Sequence, residues 1–285
     1  MSFSAEWLAL REPVDHRSRN ATLARALSAH FATRERIAIV DLGCGTGSNL
    51  RATAPLLPGH QEWLLVDYDA ALLAVARQRL AAWADTATED GGTLRLRKGK
   101  RALNVRFRQA DLAGGVDAVV GEGVDLVTAS ALFDLISEDW IGRFAAAVAR
   151  RRAAFFTVLT YDGTDAFAPA HRLDAAVIAA FARHQQQDKG FGVAAGPQGA
   201  AALKRQFTAV GYQVTEAASP WRIGAGDAAL AGDLLRGIAA AVGETATVSA
   251  GDLDDWLAFR LSVLDRAEAL LLTGHQDTLA VPTRA

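Results

Sequence analysis

The stretch IAIVDLGCGTGSN, residues 37–49, decides the reading of the fold. An apolar run, Ile37–Leu42, ends at Asp41 and a cluster of glycines, Gly43, Gly45 and Gly47, and a helical pattern begins at Ser48. Buried strand, glycine turn and helix follow in that order. Glycines let the backbone turn tightly and come close to a ligand, and the free N–H groups where the helix starts attract a carboxylate or another anion.

Outward from that turn, strand and helix alternate. An amphipathic helix is predicted over about 20–31, before the strand at 37–42, and another over 48–57 after it. A strand at 62–66, a helix over 69–84, strands at 105–109 and 124–129, a helix over 138–150 and a strand at 153–160 continue the pattern. Beyond it, helices are expected at 198–210, 227–242 and 253–272, with strands at 212–216 and 277–281. This predicts an α/β fold: a doubly wound, mostly parallel seven-stranded sheet with helices on both faces.

Two segments interrupt the alternation. Residues 88–103, TEDGGTLRLRKGKRAL, read as a basic β-hairpin turning near Gly99, and 163–200 as an insertion with a helix over 173–185. The whole chain of 285 residues is expected to form one domain: an N-terminal helical segment (1–34), a core (35–162), and the insertion with the remaining elements (163–285).

Composition narrows the function. A net charge of −2 lacks the positive field that non-specific nucleic-acid binding needs, which argues against nucleic acid as a partner. Cys44, the only cysteine, excludes an intrachain disulfide and a cysteine-rich metal site, so no metal is expected and a reducing, cytoplasmic setting fits. No apolar segment is long enough for a bilayer span, so a soluble chain without membrane contact is expected.

A glycine turn of this kind serves several nucleotide ligands. The dinucleotide fingerprint G-x-G-x-x-G/A wants glycine or alanine where Ser48 stands, which argues against NAD. The next strand, WLLVDYD (63–69), ends in Asp67, placed to accept hydrogen bonds from both hydroxyls of a ribose. Here the chain resembles the class I S-adenosylmethionine-dependent methyltransferases, whose first motif is an acidic residue followed by G-x-G-x-G and whose second strand ends in an acidic ribose ligand. Asp41, Gly43, Gly45, Gly47 and Asp67 match it, and the likeness spans about residues 35–162.

The resemblance implies S-adenosyl-L-methionine as cofactor. It places Cys44, Asn49 and Tyr68 in the same pocket, Asp111 and Leu112 of QADL beside the adenine, and Ser130 of VDLVTASALFDLIS (124–137) beside the methionine part. An N-terminal segment folds over the cofactor in this family, so Arg17 is expected to meet its carboxylate. Trp7, Arg11 and Arg17 are equally readable as surface groups, Arg17 in an ion pair, and Asp111 as a simple helix cap.

Candidates for the acceptor side lie at strand ends and in the insertion. Asp134 is placed to orient a substrate or take its proton, or to cap a helix; Tyr161 follows the next strand, before an Asp162–Gly163 turn. In FARHQQQDKGFG (181–192), His184 and Lys189 suggest a lid over the acceptor, or a solvated helix end closed by Gly190. His171 joins Asp134, Tyr161, His184 and Lys189 as a substrate contact, and Asp134 and His184 are the proposed catalytic groups, histidine because it titrates near neutrality. Arg95, Arg97 and Lys98 read as a solvated face before an RNA contact, because no aromatic residues interleave to stack bases.

These readings lead to methyl transfer to a small-molecule acceptor by in-line displacement. A binding protein that has kept the pocket without transfer, or an RNA or protein methyltransferase docking through the hairpin, is the alternative.

Overall fold

The computed structural model describes residues 3–115, 120–188 and 190–283. Two helices open the chain: α1, Ala5–Ser18, whose Ser4 hydroxyl accepts the Trp7 N–H, and α2, Ala21–His30, capped by the Asn20 side chain. Then β1 (Arg36–Leu42), α3 (Ser48–Thr53), β2 (His60–Asp67) and α4 (Ala70–Trp83, capped by Asp69) build the first strand–helix repeats. Three strands follow, β3 (Thr86–Asp90), β4 (Thr93–Lys98) and β5 (Arg101–Gln109). They lead to β6 (Leu126–Ser130), α5 (Glu138–Arg151), β7 (Ala154–Ala168), α6 (Asp174–Gln185) and α7 (Gly199–Ala209). The chain closes with β8 (Tyr212–Ala218), β9 (Trp221–Ile223), α8 (Ala228–Thr245), α9 (Ala250–Ser262) and β10 (Leu270–Pro282).

Among the described residues one sheet joins ten strands in the order β3-β4-β5-β2-β1-β6-β7-β10-β8, with β9 on β10. The expected seven strands are its path from β5 to β8; the hairpin strands β3 and β4 and the short β9 raise the count to ten. Strands β5, β2, β1, β6 and β7 run parallel, and β10 is reversed between β7 and β8. Strand β1 is buried on both faces. Ile37 and Ile39 belong to the core shared with α2, α3, α4, α6, α8 and α9, and Val40 and Leu42 to the core under α5 and α7, which explains its continuous apolar reading. The chain passes from β1 outward to β2 and later returns to β6 on the other side, so a crevice opens above the carboxyl ends of these strands.

Four boundaries differ from expectation. Helix 48–57 ends at Thr53 and passes into a 3₁₀ turn containing Pro55, which cannot donate to a continuing helix. The basic segment makes two turns, at Gly91–Gly92 and at Gly99, so that β5 begins at Arg101. Strand β7 runs on to Ala168 through the start of the expected insertion, because β10 pairs with it from Leu270 onward. For the same reason the helix expected to reach Leu272 stops at Ser262.

Candidate functional site

Gly43, Gly45 and Gly47 have φ of +61°, +52° and +77°, a region other L-residues seldom adopt. A Cβ on Gly45 would stand 3.1 Å from Leu8 of α1, and one on Gly47 3.3 Å from Leu80 of α4. Gly45 thus leaves backbone bare toward the crevice, whereas Gly47 lets α4 close on the turn.

Asp67 at the end of β2 ties the turn together. Its Oδ2 accepts the Gly45 N–H at 2.7 Å and its Oδ1 the Asp69 N–H at 3.0 Å. Burial pushes this carboxyl above its ordinary range, opposed by those two N–H groups. A carboxylate offers about four acceptor positions, more than these N–H groups fill, which leaves room for a ligand hydroxyl.

A cavity of about 390 Å³ lies over this turn, within the range of small-ligand sites. Gly43, Cys44, Gly45, Asn49, Asp67, Tyr68, Asp111, Leu112 and Ser130, all selected from sequence, line it. Tyr68 is 69% exposed at its edge. Asp111 lines the cavity, and its Oδ1 accepts the Ala113 N–H at 2.9 Å as a cap. Asp41 and Gly47 stand behind the wall. Asp41 is 0% exposed and accepts from Asn49 Nδ2 at 2.6 Å, while its Oδ2 has no partner among the described residues; burial pushes the carboxyl up to about 7.

Arg17 is elsewhere. Its guanidinium meets Asp227 at 2.5 Å and the Arg222 carbonyl at 3.4 Å, so the ion-pair reading describes it. Arg11 takes the wall position instead, paired with Asp15 through two bonds of 2.9 and 3.2 Å. The reason is helical phase: Leu8, Arg11 and Asp15 share one face of α1 and all line the cavity, while Arg17, six residues past Arg11, points to another side.

The acceptor-side candidates do not line the cavity. Asp134 lies beside Arg11 and the Tyr161 N–H, with Oδ1 unpartnered; burial pushes its carboxyl up to about 6. Tyr161 donates its hydroxyl to Asp165 at 2.5 Å. His184 is buried on α6 and meets Glu244 at 3.0 Å, and the His171 ring stacks on Phe259 at 4.8 Å. These two histidines brace the helices over the β7–β10 side. Lys189 lies outside the described residues. Of the expected lid, Gly190 and Phe191 reach the cavity. In the hairpin, Arg95 pairs with Asp90 at 2.6 Å and Lys98 with Asp85 at 2.9 Å, and Arg77 of α4 meets Glu89. Sequence reasoning missed Asp15, Asp165, Trp221 and His275, whose meeting depends on pairing across the fold.

The residues present fit S-adenosylmethionine: a bare glycine backbone, a carboxylate with open acceptor positions, and a second acid with an unpartnered oxygen behind Asn49. Among the described residues no group of three or more His, Cys, Asp or Glu side chains could hold a metal ion, and no helix is long and apolar enough to cross a membrane.

Residues 39–154 match the family model for a methyltransferase domain. Comparison with curated protein sequences returned no match. Among solved structures, a candidate methyltransferase of Bacillus halodurans C-125 aligns with 92% of this chain and 100% of its own at 13% identity, TM-score 0.50. The YcgJ protein of Bacillus subtilis aligns with 93% and 100%, also at 13% identity and TM-score 0.50. A methyltransferase from Thiobacillus denitrificans, solved with S-adenosyl-L-homocysteine, aligns with 99% and 100% at 15% identity, TM-score 0.45. At these identities the likeness is one of fold.

Residues 39–154 thus resemble a methyltransferase domain, and the fold is like that of the class I, Rossmann-like S-adenosylmethionine-dependent methyltransferases.

Proposed function

We propose that this protein methylates a small molecule admitted beside Arg11 and Asp134. The observation that carries the reading is the cavity itself: α1 supplies Leu8, Arg11 and Asp15 on one side and the segment after α6 supplies Gly190 and Phe191, so the glycine turn lies inside walls instead of on a flat face. The paired cations of the hairpin support the same reading, since they leave less free charge for a polyanion. A cytoplasmic setting accords with the single cysteine.

The side chains divide the work. Asp67 accepts the ribose hydroxyls, Asp111 and Leu112 border the adenine, and Arg11 meets the carboxylate of the methionine part. When bound, S-adenosylmethionine supplies a methyl group on a positive sulfur, given to an acceptor lone pair in line behind the S–CH₃ bond with a neutral thioether left behind. Positioning of this kind lowers a barrier by several kcal/mol, roughly 7–11 at its upper limit. Asp134 takes the acceptor's proton where one must leave, and its raised carboxyl suits transfer near neutral pH.

Incubation with methyl-labelled S-adenosylmethionine and a cell extract tests this. Label is expected in the ultrafiltrate of small molecules. Label in RNA or protein would move the acceptor to the macromolecular class, and cofactor binding without transfer would make the chain a binding protein.

A further inference from the structure

Past β6 and β8, strands β7 and β10 continue as a ribbon, edged by β9 along β10, on which Tyr161 stands opposite His275 and Asp165 opposite Thr273. Directly opposed residues share a face, and the Tyr161–Asp165 hydrogen bond of 2.5 Å joins the two pairs. The His275 ring lies 6.3 Å from that of Tyr161 and 5.2 Å from that of Trp221. Trp221 Nε1 donates to Asp15 at 3.0 Å, and the Arg11 guanidinium sits 4.8 Å over its ring. Because Arg11 and Asp15 line the cofactor cavity, the ribbon's polar face adjoins it.

Among the described residues, the buried polar atoms without a partner include Asp134 Oδ1, Asp165 Oδ1, Thr273 Oγ1 and His275 Nδ1, all on this side. Buried polar groups are nearly always satisfied, and each exception costs about 1–3 kcal/mol. His275 is 6% exposed, and burial beside Arg11 pushes it down to about 3, so its ring is neutral. Charge is also unbalanced. Arg11 is matched by Asp15, whereas the groups around Asp165 are Tyr161, Thr273 and another acid, Asp162. Asp162 itself is engaged by the Thr164 N–H and by Gln276. Ionised carboxylates only accept hydrogen bonds, and the face of Tyr161 attracts cations, while that of Trp221 already carries Arg11.

We propose that this face is the acceptor's anchoring subsite and takes a protonated amine, held by Asp165 and Asp134 with His275 beside them. The proposal rests on the methyltransferase reading of the adjoining cavity. It names the substrate class, a small cationic amine. Held protonated, the amine nitrogen has no lone pair and serves as anchor; it becomes the methylated atom only after passing its proton to Asp134.

The test uses the whole protein and shape-matched probes, 2-phenylethylamine and 2-phenylethanol, in calorimetric titrations with and without saturating S-adenosylhomocysteine. A charge-assisted contact should favour the amine at least about tenfold. Asp165→Asn and Asp134→Asn should each abolish that preference and keep the affinity for S-adenosylhomocysteine. A thermal shift of the unaltered protein by the amine and not by the alcohol gives the same answer without a variant. Equal affinity, no binding of either probe at millimolar concentration, or a preference that survives both substitutions would overturn the subsite. Failure to bind S-adenosylhomocysteine would strike instead at the neighbouring cavity, since the titration without it reads the ribbon alone.

Discussion

Asp67 at one part of the sheet edge and Asp134 and Asp165 at another are met differently. On the β1–β2 side, both oxygens of Asp67 are met by backbone N–H groups; on the β7–β10 side, Asp134 and Asp165 each keep one oxygen without a partner. Backbone supply accounts for the contrast. A glycine turn leaves N–H groups outside any ladder, free to hold a carboxylate in place, while antiparallel pairing commits most N–H groups of β7 and β10 to each other, and the Leu159 N–H, at the register shift beside Asp277, goes to Asp277 Oδ1 at 2.9 Å. Asp134 and Asp165 are left with one oxygen each for a side chain or a ligand.

The largest effect is expected where the ribbon is covered. Arg260 of α9 is 1% exposed and meets Asp174 of α6 at 2.5 Å and the Pro169 carbonyl at 2.6 Å; Trp256 donates to Asp174 at 2.9 Å. Asp174→Ala strands a buried guanidinium, which costs about 3–5 kcal/mol and should lower Tm by roughly 10 °C. If the two parts are independent, S-adenosylhomocysteine affinity at 15 °C changes little. A parallel loss of affinity in calorimetry would break the comparison and make them one unit.

Asp67→Ala should have the opposite profile. Two hydrogen bonds to a charged acceptor are lost to the ligand, so S-adenosylhomocysteine binding should weaken about 100-fold, with stability falling by about 1–2 kcal/mol. Unchanged affinity would remove the ribose role.

The unsatisfied side should also show itself in pH. Asp134 is raised to about 6 in the fold, so it holds its proton where the unfolded chain has lost it. Its contribution is full below its unfolded value and is lost as pH rises through about 6. Asp134→Asn should flatten the Tm profile in that window and become relatively more stable toward pH 8. Asp41, raised to about 7, acts in the same direction and keeps a residual slope in both proteins. Superimposable profiles would show that Asp134 is already balanced by a group nearby.

The same contrast explains what was legible. The glycine turn and Asp67 lie within local strand-to-turn patterns, and the resemblance they carry added Asp111; Gly43, Gly45, Asp67 and Asp111 line one cavity. The ribbon was hidden because YDGTDAFA, 161–168, is rich in turn-forming residues and becomes strand only through pairing with residues more than a hundred positions later. The pairing that brings His275 opposite Tyr161 has no local signature. Helix α1 lies in the N-terminal helical segment expected over 1–34, but its 8, 11, 15 spacing, which puts Arg11 in the wall, was not singled out.

The smallest effects separate Arg11 from Arg17. Arg17 is half-exposed and bound to Asp227, an arrangement worth about 0–1 kcal/mol, so Arg17→Ala should leave S-adenosylhomocysteine affinity within about twofold. Arg11→Ala removes the cation facing the cavity and should weaken binding about tenfold, the scale of one charge-assisted contact. Asp15 limits that loss, because Arg11 already has a partner to which ligand binding must offer an alternative. Calorimetry on Arg11→Ala and Arg11→Lys distinguishes charge from fork geometry: recovery by lysine means a point charge suffices, and no recovery means the planar guanidinium on Trp221 sets the contact. A loss in Arg17→Ala larger than in Arg11→Ala would reverse the assignment, because helical phase would then have failed to predict which arginine the cofactor meets.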